Sequence, residues 1–263
     1  MKTKRIITNI CLLLTALLLA SCASDKGTKI HKFEQLKGKK VVVQEGTNFD
    51  DMITADYPKV ELIRVPTLFD IYRALLSGEA EYGIDDDVTA ILMLSSGLGI
   101  DTAYAETPAN SMGAIFHKSN TELQQKFNEF ITEIEKSGEL DTLRHKWFSS
   151  SAPSSLPVPK AQFTEGEPIT VLIEGDYPPF DLTVHGKLSG LDAEIATMFA
   201  NKMQRPIQFN DIKFQDIIPS IEAGKGDMAI SGITITDERA EKVLFSKPYN
   251  NGYTLIVSMK DFE

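Results

Sequence analysis

Apolar residues recur along the chain in two rhythms, short unbroken or alternating runs and stretches of period 3.6, and their alternation predicts an α/β protein. Strands are predicted over 40–44, where Val41-Val42-Val43 follow the basic turn Lys37-Gly38-Lys39, and over 60–65 and 82–84. Leu68, Ile71, Leu75 and Leu76 repeat at helical spacing between the second and third of these, and 88–94 reads as a further helix. Asn120 stands as an N-cap before Leu123, Phe127, Phe130, Ile131 and Ile134, one apolar helical face that stops at Gly138. A shorter helix over 140–148 follows. Residues 149–168 then hold Ser-Ser-Ser-Ala-Pro-Ser-Ser, Pro157, Pro159 and Pro168, the composition of a linker. About 18 such residues reach roughly 55 to 60 Å when extended, enough to join two distant points on one domain. Beyond them a new series opens: strands over 169–173, 206–209, 228–230 and 255–257, one helix with Leu191, Ile195, Met198 and Phe199 on its face, and another with Ile217, Ile218 and Ile221. No repeat relates the two halves.

The first residues break this pattern. A basic start with Lys2, Lys4 and Arg5 precedes an apolar run from Ile6 to Ala20, interrupted by Thr8, Asn9 and Thr15 and too short for a membrane span. That is the form of an export signal. The tetrad Leu19-Ala20-Ser21-Cys22 resembles a bacterial lipobox, which implies cleavage before Cys22 and lipidation of its thiol. The mature chain then has one cysteine, so disulfide, thiolate metal site and cysteine nucleophile are excluded. The formal net charge of −10 across 263 residues, with three bases and no acid in the first 21, makes the remainder more acidic still. An acidic body without a basic stripe argues against nucleic acid as a partner. With 42% apolar and 24% charged residues the chain is a folded one, and its length allows two domains or one two-lobed unit.

Phosphate loop, GxSxG elbow and HExxH helix are all missing, and the four histidines are scattered. No metal site or cofactor is expected. Asp85-Asp86-Asp87 lacks the alternating ligands and central glycine of a calcium loop and, on residue type alone, reads as a solvated turn capping the helix at Val88. Three groups of residues in the second half are more specific. Tyr177-Pro178-Pro179-Phe180 with Gly190-Leu191-Asp192, then Ser231-Gly232-Ile233-Thr234-Ile235-Thr236-Asp237-Glu238-Arg239, then Phe245-Ser246-Lys247-Pro248-Tyr249, resemble successive signatures of the extracytoplasmic solute-binding proteins of family 3, which deliver polar amino acids to ABC importers. The first half resembles the other end of the same family: Leu36-Lys37-Gly38-Lys39-Lys40-Val41 with Gly46-Thr47-Asn48, the stretch 78–86, and the run 118–148 ending in Lys146-Trp147-Phe148. The order is inverted. A circular permutant, a fragment of a tandem pair and a domain-swapped subunit all account for it, and the absence of duplication favours the permutant, whose termini would lie at the surface.

The resemblance implies a two-lobed type II periplasmic-binding-protein-like α/β fold, circularly permuted. Its parts are a signal peptide over 1–21, a tether over 22–32, lobe 2 over 33–110, lobe 1 from 111–150 and 169–257, and a linker over 151–168. Crossing segments near 111–116 and 253–258 would form the hinge. A free amino acid is a zwitterion, and the resemblance assigns its carboxylate to Arg239 and the Thr234 N–H, its ammonium to Asp86, the Thr234 hydroxyl and the Ser231 carbonyl, and counts Gly232 among the ligand-binding residues; Thr47 and Asn48 stand at a helix start that attracts an anion. It places Tyr177 and Phe214 against the ligand and leaves Phe180 to the core. Glu174 and Gln44, with Asp85 beside them, stand where side-chain selectivity is set and suggest a basic or amide-bearing ligand. An ABC permease is the implied partner, and a membrane-anchored monomer on the periplasmic or cell-surface side is the expected state. The alternatives are a cyclohexadienyl or arogenate dehydratase-like enzyme on the same fold, with Glu174 or Asp85 as proton donor, and a ligand-sensing module.

Overall fold

The computed structural model describes residues 30–105, 109–149, 158 and 160–260. The expected signal peptide, Cys22, most of the tether and residues 151–157 and 159 of the linker lie outside the described residues. A single 3-10 turn, Phe33–Leu36, leads into β1 (Lys40–Gln44), α1 (Asn48–Asp56), β2 (Glu61–Val65), α2 (Leu68–Ser77), β3 (Tyr82–Asp86), α3 (Asp87–Ser95) and β4 (Ile100–Tyr104). The short strands β5 (Asn110–Met112) and β6 (Ile115–Phe116) precede two helices, α4 (Thr121–Lys136) and α5 (Glu139–Phe148). The second half holds β7 (Ile169–Ile173), β8 (Asp176–Tyr177), β9 (Asp181–Val184), β10 (Lys187–Ser189), α6 (Leu191–Lys202), β11 (Ile207–Asp211), α7 (Phe214–Glu222), β12 (Met228–Ala229), α8 (Asp237–Lys242), β13 (Leu244–Phe245), β14 (Asn250–Gly252) and β15 (Thr254–Met259).

Two five-stranded sheets organise these elements, in the orders β2-β1-β3-β15-β4 and β11-β7-β12-β6-β13. In the first, β1 runs parallel to β2 and β3, while β15 is antiparallel to β3 and β4. In the second, β7 runs parallel to β11 and β12, while β6 is antiparallel to β12 and β13. The central parallel strands read as unbroken apolar runs because both faces are covered: Val41, Val42 and Val43 are buried, as are Val171, Leu172 and Ile173. Each sheet therefore takes a strand from the other half of the chain, β15 into the first and β6 into the second. An antiparallel ribbon of β5 and β14 lies where the chain passes from one sheet to the other.

β15 pairs with β3 over 254–257 and with β4 over 255–259, and Leu255, Ile256 and Val257 are apolar enough to sit inside the first sheet. Helix ends follow local chemistry. Thr67 accepts a hydrogen bond from Asp70 N–H at the start of α2, and Thr236 one from Arg239 N–H at the start of α8. Asn120 occupies the cap position of α4 but caps nothing with its side chain; its Nδ2 donates to the Asp227 carbonyl at 3.3 Å and ties the two halves together. The apolar face of α4 meets α6 through Phe199, whose ring centroid lies 5.0 Å from that of Phe127 and 5.7 Å from that of Phe130.

Candidate functional site

The end of β1, the turn after it and the start of α1 supply Gln44, Thr47 and Asn48 to one pocket, and the end of β3 adds Asp86. From the second sheet's side come Glu174 just after β7, Tyr177 of β8, Phe214 at the start of α7, and Gly232 and Thr234 in the loop after β12. The space these side chains leave is small, about 20 Å³, room for little more than one water. Nine of the eleven ligand residues expected from the sequence thus line one cavity between segments attached to different sheets. The other two stand just behind it. Arg239, in α8, is 4% exposed; its Nη1 donates to the Thr234 carbonyl and its Nη2 to the Gly46 carbonyl, both at 3.0 Å. Its guanidinium carbon lies 5.7 Å from the centre of the Phe214 ring, a cation–π contact. Ser231 is fully buried, and its hydroxyl accepts the Glu174 N–H at 3.0 Å and donates to Asp181 Oδ2 at 2.8 Å.

The bare-residue view of Asp85-Asp86-Asp87 as a solvated turn is overturned. Asp85 is 2% and Asp86 6% exposed, because both still belong to β3 and β15 pairs alongside them. The Asp86 carboxylate accepts from the Tyr177 hydroxyl and, at 3.5 Å, from Asn110 Nδ2. Asp85 accepts from the Tyr72 hydroxyl at 2.5 Å. Glu174 accepts twice from Gln44 Nε2, at 2.9 and 2.8 Å, and once from the Phe214 N–H at 3.1 Å. The Thr47 hydroxyl accepts from Asp50 N–H and donates to the Gln44 carbonyl at 2.8 Å, so it shapes the turn. Phe180 is core, stacked on the Tyr177 ring at 5.1 Å.

Burial sets the electrostatics. It pushes Glu174 up to about 7, aided by the neighbouring charge of Asp176, and Asp86 up to about 6, against the opposing hydrogen bond from Tyr177. Asp85 is raised well above the usual carboxylate range by burial and by Asp86 beside it. Burial lowers Arg239 somewhat. Three carboxyls and one guanidinium around a small cavity favour a ligand that brings positive charge. The apolar walls Phe49, Leu68, Ile71 and Ile84 were not expected at the site. Leu68 and Ile71 carry the helical repeat of α2, a signal that cannot separate core from pocket lining. Among the described residues no cluster of histidine, cysteine, aspartate or glutamate is arranged to hold a metal ion.

The family model of the bacterial extracellular solute-binding proteins, family 3, matches residues 26–150 and 169–262. Curated relatives include ABC transporter arginine-binding protein 1 of Escherichia coli (strain K12), 33% identical over 106 residues, covering 38% of this chain and 44% of that protein. The arginine-binding periplasmic protein of Mannheimia haemolytica is 35% identical over 92 residues, covering 35% of this chain and 39% of its own. Among solved structures, an ancestral arginine-binding protein bound to arginine is 40% identical over 31% of this chain and 37% of that chain, with a TM-score of 0.31. The chain spans about two fifths of the length of these relatives. The family match covers most of the sequence, on both sides of the linker. The chain belongs to the bacterial extracellular solute-binding proteins, family 3.

Proposed function

We propose that this chain captures an L-α-amino acid with a cationic side chain in the cleft between its two sheets and presents it to the permease of an ABC importer. The observation that carries the reading is the pairing of opposite charges from opposite sides: Arg239 stands behind the second sheet's loop and Asp86 at the end of a first-sheet strand. A zwitterion lying across the cleft satisfies both. Its carboxylate takes over the Arg239 N–H now given to the Gly46 carbonyl, and its ammonium takes the place of the Tyr177 hydroxyl on Asp86. Glu174 and Asp85 then face the side chain, which favours a guanidinium or ammonium there. The arginine-binding relatives support that choice. Closing the sheets around the ligand, about crossings near β5 and β14, produces the form a permease reads.

The same reading includes export by the N-terminal signal, a lipid on Cys22, a monomeric state, and a circularly permuted family order joined by the linker over 151–168. The ligand is bound and not consumed. A thermal-shift screen of the twenty amino acids tests the assignment: at about 100 times Kd the true ligand raises stability by about 2.7 kcal/mol. Arginine, lysine or histidine should lead the screen, and a clear lead by an acidic or aliphatic amino acid would overturn the assignment. Prephenate and arogenate should come through incubation unchanged, and formation of phenylpyruvate or phenylalanine would replace binding by dehydration.

A further inference from the structure

Behind the pocket, Asp181 and Asp192 are both wholly buried, Asp181 opening β9 and Asp192 in the first turn of α6. Two backbone bonds latch their segments side by side: Leu191 N–H to the Pro179 carbonyl at 3.1 Å and Asp192 N–H to the Phe180 carbonyl at 3.0 Å. Gly190 permits the approach. Its φ is +127°, and a Cβ there would be driven into the Phe180 carbonyl. One oxygen of each carboxyl serves the dipeptide Ser231-Gly232, which carries the pocket wall. The Ser231 hydroxyl donates to Asp181 Oδ2 at 2.8 Å, and Gly232 N–H donates to Asp192 Oδ2 at 2.7 Å. The Tyr249 hydroxyl donates to the same Asp192 oxygen at 2.8 Å. The remaining oxygen of each, Oδ1, is buried with no hydrogen-bond partner. Buried acceptors are rarely left orphaned, and two neighbouring buried carboxylates cannot both keep their charge.

We propose that Asp181 and Asp192 hold one proton between their Oδ1 atoms, and that this carboxyl–carboxylate pair is the positioning element that fixes the Ser231-Gly232 turn beneath the ligand. A single O–H donor satisfies both orphaned acceptors at once. The groups around the pair agree with Asp181 as the donor. Burial raises it well above its ordinary range, Asp192 on α6 raises it further, and Glu174 after β7 and Asp211 of β11 add negative charge, against the one opposing bond from Ser231. Asp192 is raised by burial, but the Gly232 N–H and the Tyr249 hydroxyl steady its charge. Folding therefore takes up a proton that the unfolded carboxyls have released. The pair's contribution to stability is complete below about pH 4 and is lost as pH rises through the folded pair's own titration.

Asp181→Asn tests this directly, since a carboxamide puts an N–H where the shared O–H stood. In the ligand-free chain, the unfolding midpoint of the wild type should fall between about pH 5 and 9, and that of Asp181→Asn should fall less steeply. The infrared difference between wild type and variant near neutral pH should show the carbonyl stretch of a protonated carboxylic acid. Arginine affinity should stay within about threefold in Asp181→Asn and drop at least about tenfold in Asp181→Ala, which leaves Ser231 and Asp192 without their partner. Asp192→Asn gives the same slope and infrared tests should Asp181→Asn fail to fold. Equal slopes in wild type and variant, with no protonated-acid band, overturn the proposal. The affinity measurement rests on the proposed ligand, whereas the slope and the infrared band do not, so loss of arginine binding in the wild type would sink that reading and leave the proton pair to be judged on its own.

Discussion

Arg239 is the residue on which the binding reading turns. It is buried, bonded to two carbonyls and faced by the Phe214 ring, so its charge is held in place before any ligand arrives. Arg239→Ala should weaken amino-acid binding by about 2 to 5 kcal/mol with the fold retained, the range for removing one partner of a buried charge pair. Isothermal titration checks this, and affinity within about twofold of wild type would place the carboxylate elsewhere. Gly232 is constrained in a different way. Its φ of +57° suits glycine, and a Cβ would meet the Tyr177 ring, which is itself held by Asp86. Gly232→Ala should therefore lower both affinity and unfolding midpoint, read by titration and calorimetry. These two positions were legible in the sequence through their motif. Asp85 and Asp86 were legible only through the resemblance: three acids in a row look like a solvated turn, and what buries them is β15, which enters from the far end of the chain.

Among elements, those with a repeat of their own were readable and those without were not. The helices α2, α4 and α6 and the strands β1 and β7 carry periodic or unbroken apolar runs, and they fall within a residue or two of where the pattern puts them. The strands β5, β6, β8, β13 and β14 have two or three residues each, too few to show any period, and they exist because a partner strand lies beside them. The partner is often remote, as with β6 between β12 and β13. The contact between α4 and α6 links the halves through aromatic rings, since Phe199 of one meets both Phe127 and Phe130 of the other. Phe199→Ala should lower the free energy of unfolding by about 3 to 5 kcal/mol, the cost of a large cavity in a packed core. Denaturant titration gives the value. A loss below about 1 kcal/mol would mean that the helices meet only loosely.

At the scale of the molecule, the pocket couples stability to pH. Glu174, Asp86 and Asp85 are all raised in the folded state, so the protons they hold stabilise the ligand-free protein fully below about pH 4; the shares of Asp86 and Glu174 fade as pH rises through about 6 and about 7, and that of Asp85 as pH rises through its own raised titration. A cationic ligand reverses the trend, because it is best received by carboxyls that have lost their protons. Arginine affinity should rise between about pH 5 and 8 while ligand-free stability falls, and binding should release protons, measured by titration in buffers of different ionisation heat. Affinity independent of pH would mean that these carboxyls do not face the ligand. Anchoring is a separate matter. Under the proposed lipid attachment, Cys22→Ser should free the exported protein from the membrane fraction. Retention after a salt wash would assign the attachment to something other than that thiol. The exchange of β6 and β15 between the sheets ties the two halves of the chain together. Neither half closes a sheet without the other, so separately produced pieces ending near Phe148 and beginning near Ile169 should be unfolded alone and assemble on mixing. A protease that cut the linker would then release nothing: the two pieces would stay laced together, and the nick would be visible only after denaturation.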